Sequence, residues 1–403
     1  MISSIRLPVK LLAILLVFNM FALAETVKVP GDVYGGAIVL NDGSIVFTGT
    51  DGMVHVVSKD GEIVNKVFPL QVGAPIVSAP AVVDSGGSQY LLVKDIAGNL
   101  TKVNLKTGKI EYQVQIKGGA DLSKKIDVAR ISATESVAVI GDKLVAVSTG
   151  RVMDQFPALK LKYVPEMGEE GALVGISLSL TGETYLVAKD LSNGAVKQIY
   201  KGSKIWDYAF EDVDGDGYKE MLIVDSDNMV IKKDDSVVKS LKLDDEVPVQ
   251  QIVLYDSDGD GKKEIGVVGV KAVKVNKGVS YITNVAVYDT TGRKMLGFSQ
   301  SGMPVGVNRI RKGGKEEFLV GIYSPKSQKS LIYRVSNSSA QIMKTYEGRL
   351  GSFDVVKVNG KTKLITFVVP SGEVKTEVCE TDVNFDVGTD VVPISMGCSI
   401  ERK

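Results

Sequence analysis

The chain has 403 residues, 48 basic and 48 acidic side chains, 44% apolar residues, one histidine and two cysteines. Balanced charge with no basic stripe argues against a nucleic-acid partner, and a lone histidine leaves no Ser-His-Asp or Cys-His set to assemble from a second one. The length exceeds one ordinary domain but suits a closed repeat architecture held as one body.

The chain opens with features of a secretory signal peptide over residues 1–24. Arg6 and Lys10 supply positive charge, an apolar run follows from Leu11 to Phe21, and Ala22-Leu23-Ala24 offers small residues for cleavage. The run is too short to span a membrane, so an exported chain starting at Glu25 is expected, destined for the periplasm, the cell surface or the medium. No later stretch is apolar for long enough to cross a bilayer.

Residues 25–403 then read as strands: apolar runs of Val, Ile, Leu and Thr, broken by Gly, Asn and Asp turns, with no sustained 3.6-residue period. The recurring unit is a hairpin. Ala37 to Leu40 turns at Asn41-Asp42-Gly43, Ala81 to Val83 at Asp84 to Gly87, and Val137 to Ile140 at Gly141-Asp142. Two hairpins with acidic turns follow. Val307 to Ile310 then turns at Lys312 to Gly314, and Val355 to Val358 at Asn359-Gly360, making seven hairpins.

More strand material follows each hairpin, so one unit is four antiparallel strands in about 40–50 residues, the length of a propeller blade. The fold class expected is therefore all-β, a single closed β-propeller of seven four-stranded blades, with eight as the alternative count. Residues 151–171 read as an irregular inserted loop and the best candidate for a partner surface. A second insertion is read around residues 270–278. The short segment 26–29 is placed to complete the last blade and close the ring.

The two acidic turns carry the clearest chemistry. The first is Asp212-x-Asp214-x-Asp216-Gly217-x-x-Glu220; the second is Asp256-x-Asp258-x-Asp260-Gly261-x-x-Glu264. Aspartates at positions one, three and five, with an acid at nine, form an oxygen cage suited to Ca²⁺, which takes six to eight oxygens at about 2.3–2.6 Å. The position-seven carbonyls, on Tyr218 and Lys262, are expected to add ligands. An EF-hand needs Glu at position twelve; Ile223 and Val267 stand there. A broken version, Asp382-x-Asn384-x-Asp386 with Asp390, is a weaker candidate.

Residues 205–299, which hold both loops, resemble the integrin-α-type repeats, also called FG-GAP or VCBS repeats. That resemblance implies propeller blades whose first two strands are joined by Ca²⁺ loops, with Asp212, Asp214, Asp216, Tyr218 and Glu220 at one site and Asp256, Asp258, Asp260, Lys262 and Glu264 at the other. The earliest units, with Ser78 to Val83 and Gly98 to Lys109, look like quinoprotein-type (PQQ-like) repeats, although Glu111-Tyr112 replaces their usual Trp and Trp206 is the only tryptophan.

Cys379 and Cys398 form an even pair near the C-terminus, read as a disulfide in an exported protein. His55 falls in a strand and reads as structural. Arg309 and Arg311 fall on an inner strand, where a channel lining competes with ordinary strand polarity. The function expected is a non-enzymatic, Ca²⁺-stabilised scaffold for a protein or glycan partner, with two structural Ca²⁺ sites and no catalytic set. The alternatives are an envelope assembly or adaptor factor and an enzyme acting on polysaccharide.

Overall fold

The computed structural model describes residues 25–28, 32–40, 42–58, 67–85, 87–116, 126–131, 135–243, 249–276, 278–312, 314–358, 361–369, 373–378 and 385–386. The signal-peptide reading, Cys379, Cys398 and most of the broken acidic motif lie outside these residues. Every regular element described is a β-strand. Consecutive strands pair as antiparallel meanders at residues 37–71, 81–115, 127–155, 159–202, 205–242, 249–301, 303–347 and 349–378; these are blades 1 to 8.

The ring is visible in how the apolar residues divide. One buried layer lies between each pair of neighbouring blades, from blades 1 and 2 round to blades 8 and 1. The strand Glu220–Asp225 shows why its run is continuously apolar. Side chains alternate across a strand. Met221 and Ile223 therefore join the layer shared with blade 4, whereas Leu222 and Val224 join the layer shared with blade 6. Second and third strands are buried on both faces this way, while fourth strands such as Ser236–Lys242 are largely exposed.

The all-β propeller of four-stranded antiparallel blades is thus what the chain forms, and seven of its sheets have four strands. Blade 7 has four plus the two-residue strand Phe385–Asp386, so the described residues form eight blades, the alternative count. The difference comes from residues 151–171, which are not an insertion. They contain Val152–Gln155, the last strand of blade 3, and Leu159–Val164, the first strand of blade 4. The hairpin at Gly141-Asp142 joins the second and third strands of blade 3, not the first and second. The true first strand, Asp127–Arg130, is short and half polar, so its apolar signal is weak.

Closure follows the sequence expectation. The strand Glu25–Lys28 pairs antiparallel with Glu373–Val378 and becomes the outermost strand of blade 8. His55 is buried, stacks on Phe47 with ring centroids 5.1 Å apart, and meets Asp51 Oδ2 at 2.9 Å through Nε2. It is packed into the blade, as its strand position implies.

Candidate metal centres

Each acidic loop joins the first and second strands of its blade, Ile205–Glu211 to Glu220–Asp225 in blade 5 and Val249–Tyr255 to Glu264–Val275 in blade 6. The two loops share one hydrogen-bond scheme. Asp212 accepts from the amides of Gly215 and Gly217 at 2.8 and 2.9 Å, and Asp256 from those of Gly259 and Gly261 at 2.6 and 3.0 Å. The Asp216 amide donates to Asp214 and the Tyr218 amide to Asp216; Asp260 and Lys262 repeat this toward Asp258 and Asp260. The path needs left-handed backbone at Gly215 and Gly217 (φ 80° and 87°) and again at Gly259 and Gly261 (φ 85° and 87°), which glycine adopts without steric cost.

The consequence is convergence. Within each loop the three aspartates bring one carboxylate oxygen each to within 4.8 Å of one another. Glu220 and Glu264 turn back on their loops, where one oxygen of each accepts the amide of Val213 or Ser257 at 2.8 Å. Glu220 is 2% exposed, and its other oxygen, Oε1, is buried with no hydrogen-bond donor. A buried carboxylate oxygen without a hydrogen bond is costly. This all-oxygen donor set, already oriented by backbone amides, fits a hard divalent cation. The side chains of Tyr218 and Lys262 are exposed, leaving their backbone as the part available to a cage.

Two residues that sequence reading missed shape these loops. Lys233, from the third strand of blade 5, pairs with Asp216, and its Nζ lies 3.7 Å from Glu220 Oε1. That hydrogen bond holds the Asp216 carboxyl below its ordinary pKa. Glu316 of blade 7 is buried behind the second loop. It accepts the Asp256 amide at 2.9 Å and meets Arg311 at 2.5 Å, Lys263 at 3.4 Å and Arg309 at 3.8 Å. Arg309 also donates to the Leu254 carbonyl at 3.0 Å. Both arginines are therefore engaged with Glu316 and the blade 6 backbone. The only advance signal was their placement across a hairpin from Lys315-Glu316-Glu317.

The loops of neighbouring blades also touch. A Cβ placed on Gly215 would stand 3.0 Å from the Gly261 carbonyl oxygen, and Lys219 pairs with Glu166 of blade 4 at 2.6 Å. The inner strands are stitched as well: Lys160 Nζ donates to the Trp206 carbonyl and to Asp207, and the Ile252 amide donates to Asp207.

No family model matches the sequence, and no curated protein matches it. Among solved structures the fold is similar to BamB from Moraxella catarrhalis, with 14% identity over 87% of this chain and 97% of that one, at a TM-score of 0.50. It is also similar to the BBS1N chain crystallised in complex with ARL6DN (10% identity, 76% and 93% covered, TM-score 0.49) and to the computationally designed Ika8 protein (13%, 88% and 99%, TM-score 0.48). At these identities the likeness concerns the fold.

Proposed function

We propose that this chain is an exported, non-enzymatic β-propeller whose blades 5 and 6 are pinned by two Ca²⁺ ions in integrin-α-type loops, and which serves as a scaffold for a protein or glycan partner. The observation that carries the metal reading is the pair of identically wired loops, with the buried Glu220 oxygen lacking a donor. Bound Ca²⁺ would be held by Asp212, Asp214, Asp216 and Glu220, and by Asp256, Asp258, Asp260 and Glu264. It would neutralise carboxylates that otherwise repel one another. The scaffold reading is supported by a rigid closed ring and by the engagement of His55, Arg309 and Arg311 in packing. The export reading rests on the charged, apolar and small-residue pattern of residues 1–24.

The test is a melting curve with Ca²⁺ and with chelator. At 100 times Kd, one site adds about 2.7 kcal/mol, so the melting temperature rises with Ca²⁺, and Asp214→Ala combined with Asp258→Ala abolishes that rise. Identical curves in Ca²⁺ and chelator would refute the metal reading. A glycan panel scored for retention and for product release tests the scaffold reading, and turnover of any glycan would overturn its non-enzymatic part.

A further inference from the structure

In an up-and-down meander, the first and third turns of every blade open on one face of the ring and the second turns on the other. The acidic loops are first turns. Among the second turns described, those of blades 1, 3, 5 and 7 are polar. Those of blades 2, 4 and 6 present exposed apolar side chains: Ile96 in blade 2, Leu178 and Leu180 in blade 4, and Val275 and Val279 in blade 6. Three apolar tips thus stand on alternate blades of one face.

Blade 6 carries its tip farthest out. Its second and third strands, Glu264–Val275 and Gly278–Tyr288, stay paired to the register Val275↔Gly278. The first strand leaves at Val249↔Gly269, and the fourth at Ile282↔Ser301. Residues 270–276 and 278–281 therefore form a two-stranded ribbon standing about 15 Å beyond the four-stranded sheet at 3.3 Å per residue. Val275 is 52% exposed, Val279 55% and Tyr281 36%. Lys271 and Lys274 are exposed on the same ribbon and pair with no described carboxylate, and Lys326 is exposed on the second turn of blade 7 beside it. From Ile265 to Tyr288 the sequence has no acid at all. Several carboxylates of this face are already paired: Asp142 with Lys143, Glu183 with Lys201, Asp227 with Lys242 and Glu347 with Lys329. The densest carboxylates, Asp212 to Asp216 and Asp256 to Asp260, point the other way.

We propose that this face docks on an anionic lipid bilayer, with the blade 6 ribbon inserting Val275 and Val279 and the tips of blades 2 and 4 completing a planar contact. Three apolar tips on one side of a rigid ring match a flat surface rather than a single groove. Unpaired lysines behind an apolar tip match lipid headgroups over buried acyl chains. The opposed acidic loops orient the ring without repulsion. This inference goes beyond the scaffold reading and needs only that the chain meets a membrane surface; its assay involves neither Ca²⁺ nor a glycan, so the two can fail separately.

The test uses the chain from Glu25 onward, which holds every described strand and lacks the apolar leader. It is floated with vesicles of phosphatidylcholine alone and with about one third phosphatidylglycerol, a fraction that gives a strongly negative surface. Binding is expected to the anionic vesicles and to fall with salt. Lys271→Gln with Lys274→Gln weakens it about 25-fold, taking about fivefold per lysine near a charged surface. Val275→Ser with Val279→Ser weakens it at low salt too, whereas Val237→Ser with Val238→Ser, on an exposed outer strand, leaves it unchanged. An environment-sensitive fluorophore at position 275 shifts to the blue on anionic vesicles, and one at position 237 does not. Equal behaviour of positions 275 and 237, or no flotation with either vesicle, would overturn the proposal. Retention by a protein partner with no lipid signal would assign the ribbon to protein docking instead, and likewise overturn it.

Discussion

Glu316 couples charge to the packing of two blades. Burial alone would raise its pKa, but the Asp256 amide, Arg309, Arg311 and Lys263 outweigh burial and hold it below the ordinary 4.5. Its folded pKa lies below the unfolded one. Its contribution is therefore complete above pH 4.5 and disappears as pH falls through the folded value. Glu316→Gln leaves these cations beside an uncharged side chain and is expected to cost about 3 kcal/mol, as breaking a buried pair does, read from the urea midpoint at pH 7. The variant should also have a shallower acid-side stability profile below pH 4.5; wild-type stability at both pH values would show that the cations find other partners. Lys233 acts in the opposite sense, because its ammonium stands against Asp216 where a metal would sit. Lys233→Gln should tighten Ca²⁺ at the first loop, modestly because the ion pair it removes is exposed. Calorimetry with the second loop disabled by Asp258→Ala measures it, and an unchanged affinity would show that the ammonium does not compete.

At the level of the strand, alternation decides which layer a mutation damages. Leu222 and Ile223 are adjacent and fully buried, yet one packs toward blade 6 and the other toward blade 4. Each change to Ala is expected to cost about 3 kcal/mol. The double variant should be additive within about 0.5 kcal/mol, because the two side chains share no layer; a larger coupling would mean that both layers relax together. Runs such as Met221 to Val224 were legible in the sequence because burial on both faces removes polar residues from a strand. The acidic loops were legible because their residue types and spacing are set by ligand chemistry. The blade count was not. Asp127–Arg130 has one open flank and needs few apolar residues, so the hairpin frame slipped by one strand and two real strands were taken for an inserted loop. Glu316 was hidden for another reason: its partner amide belongs to Asp256, on the neighbouring blade, and sequence spacing carries no record of that contact.

The ring as a whole depends on a joint that links the two ends of the described chain. Glu25–Lys28 completes blade 8 by pairing with Glu373–Val378, and the layer between blades 8 and 1 is built from Val33, Ile45, Phe47, Val57, Ile365 and Phe367. Without the first strand, blade 8 exposes a line of unpaired backbone groups, a template for association with another chain. A chain lacking residues 25–28 should therefore melt below the intact one and associate as its concentration rises, measured by thermal scanning and sedimentation velocity. A peptide spanning residues 25–34, added in excess, should restore the monomer by supplying the missing strand. This loss should be independent of Ca²⁺, since the joint shares no layer with blades 5 and 6. If the truncated chain melted like the intact one and stayed monomeric, the layer between blades 8 and 1 would be holding the ring alone, and the terminal strand would be dispensable to closure.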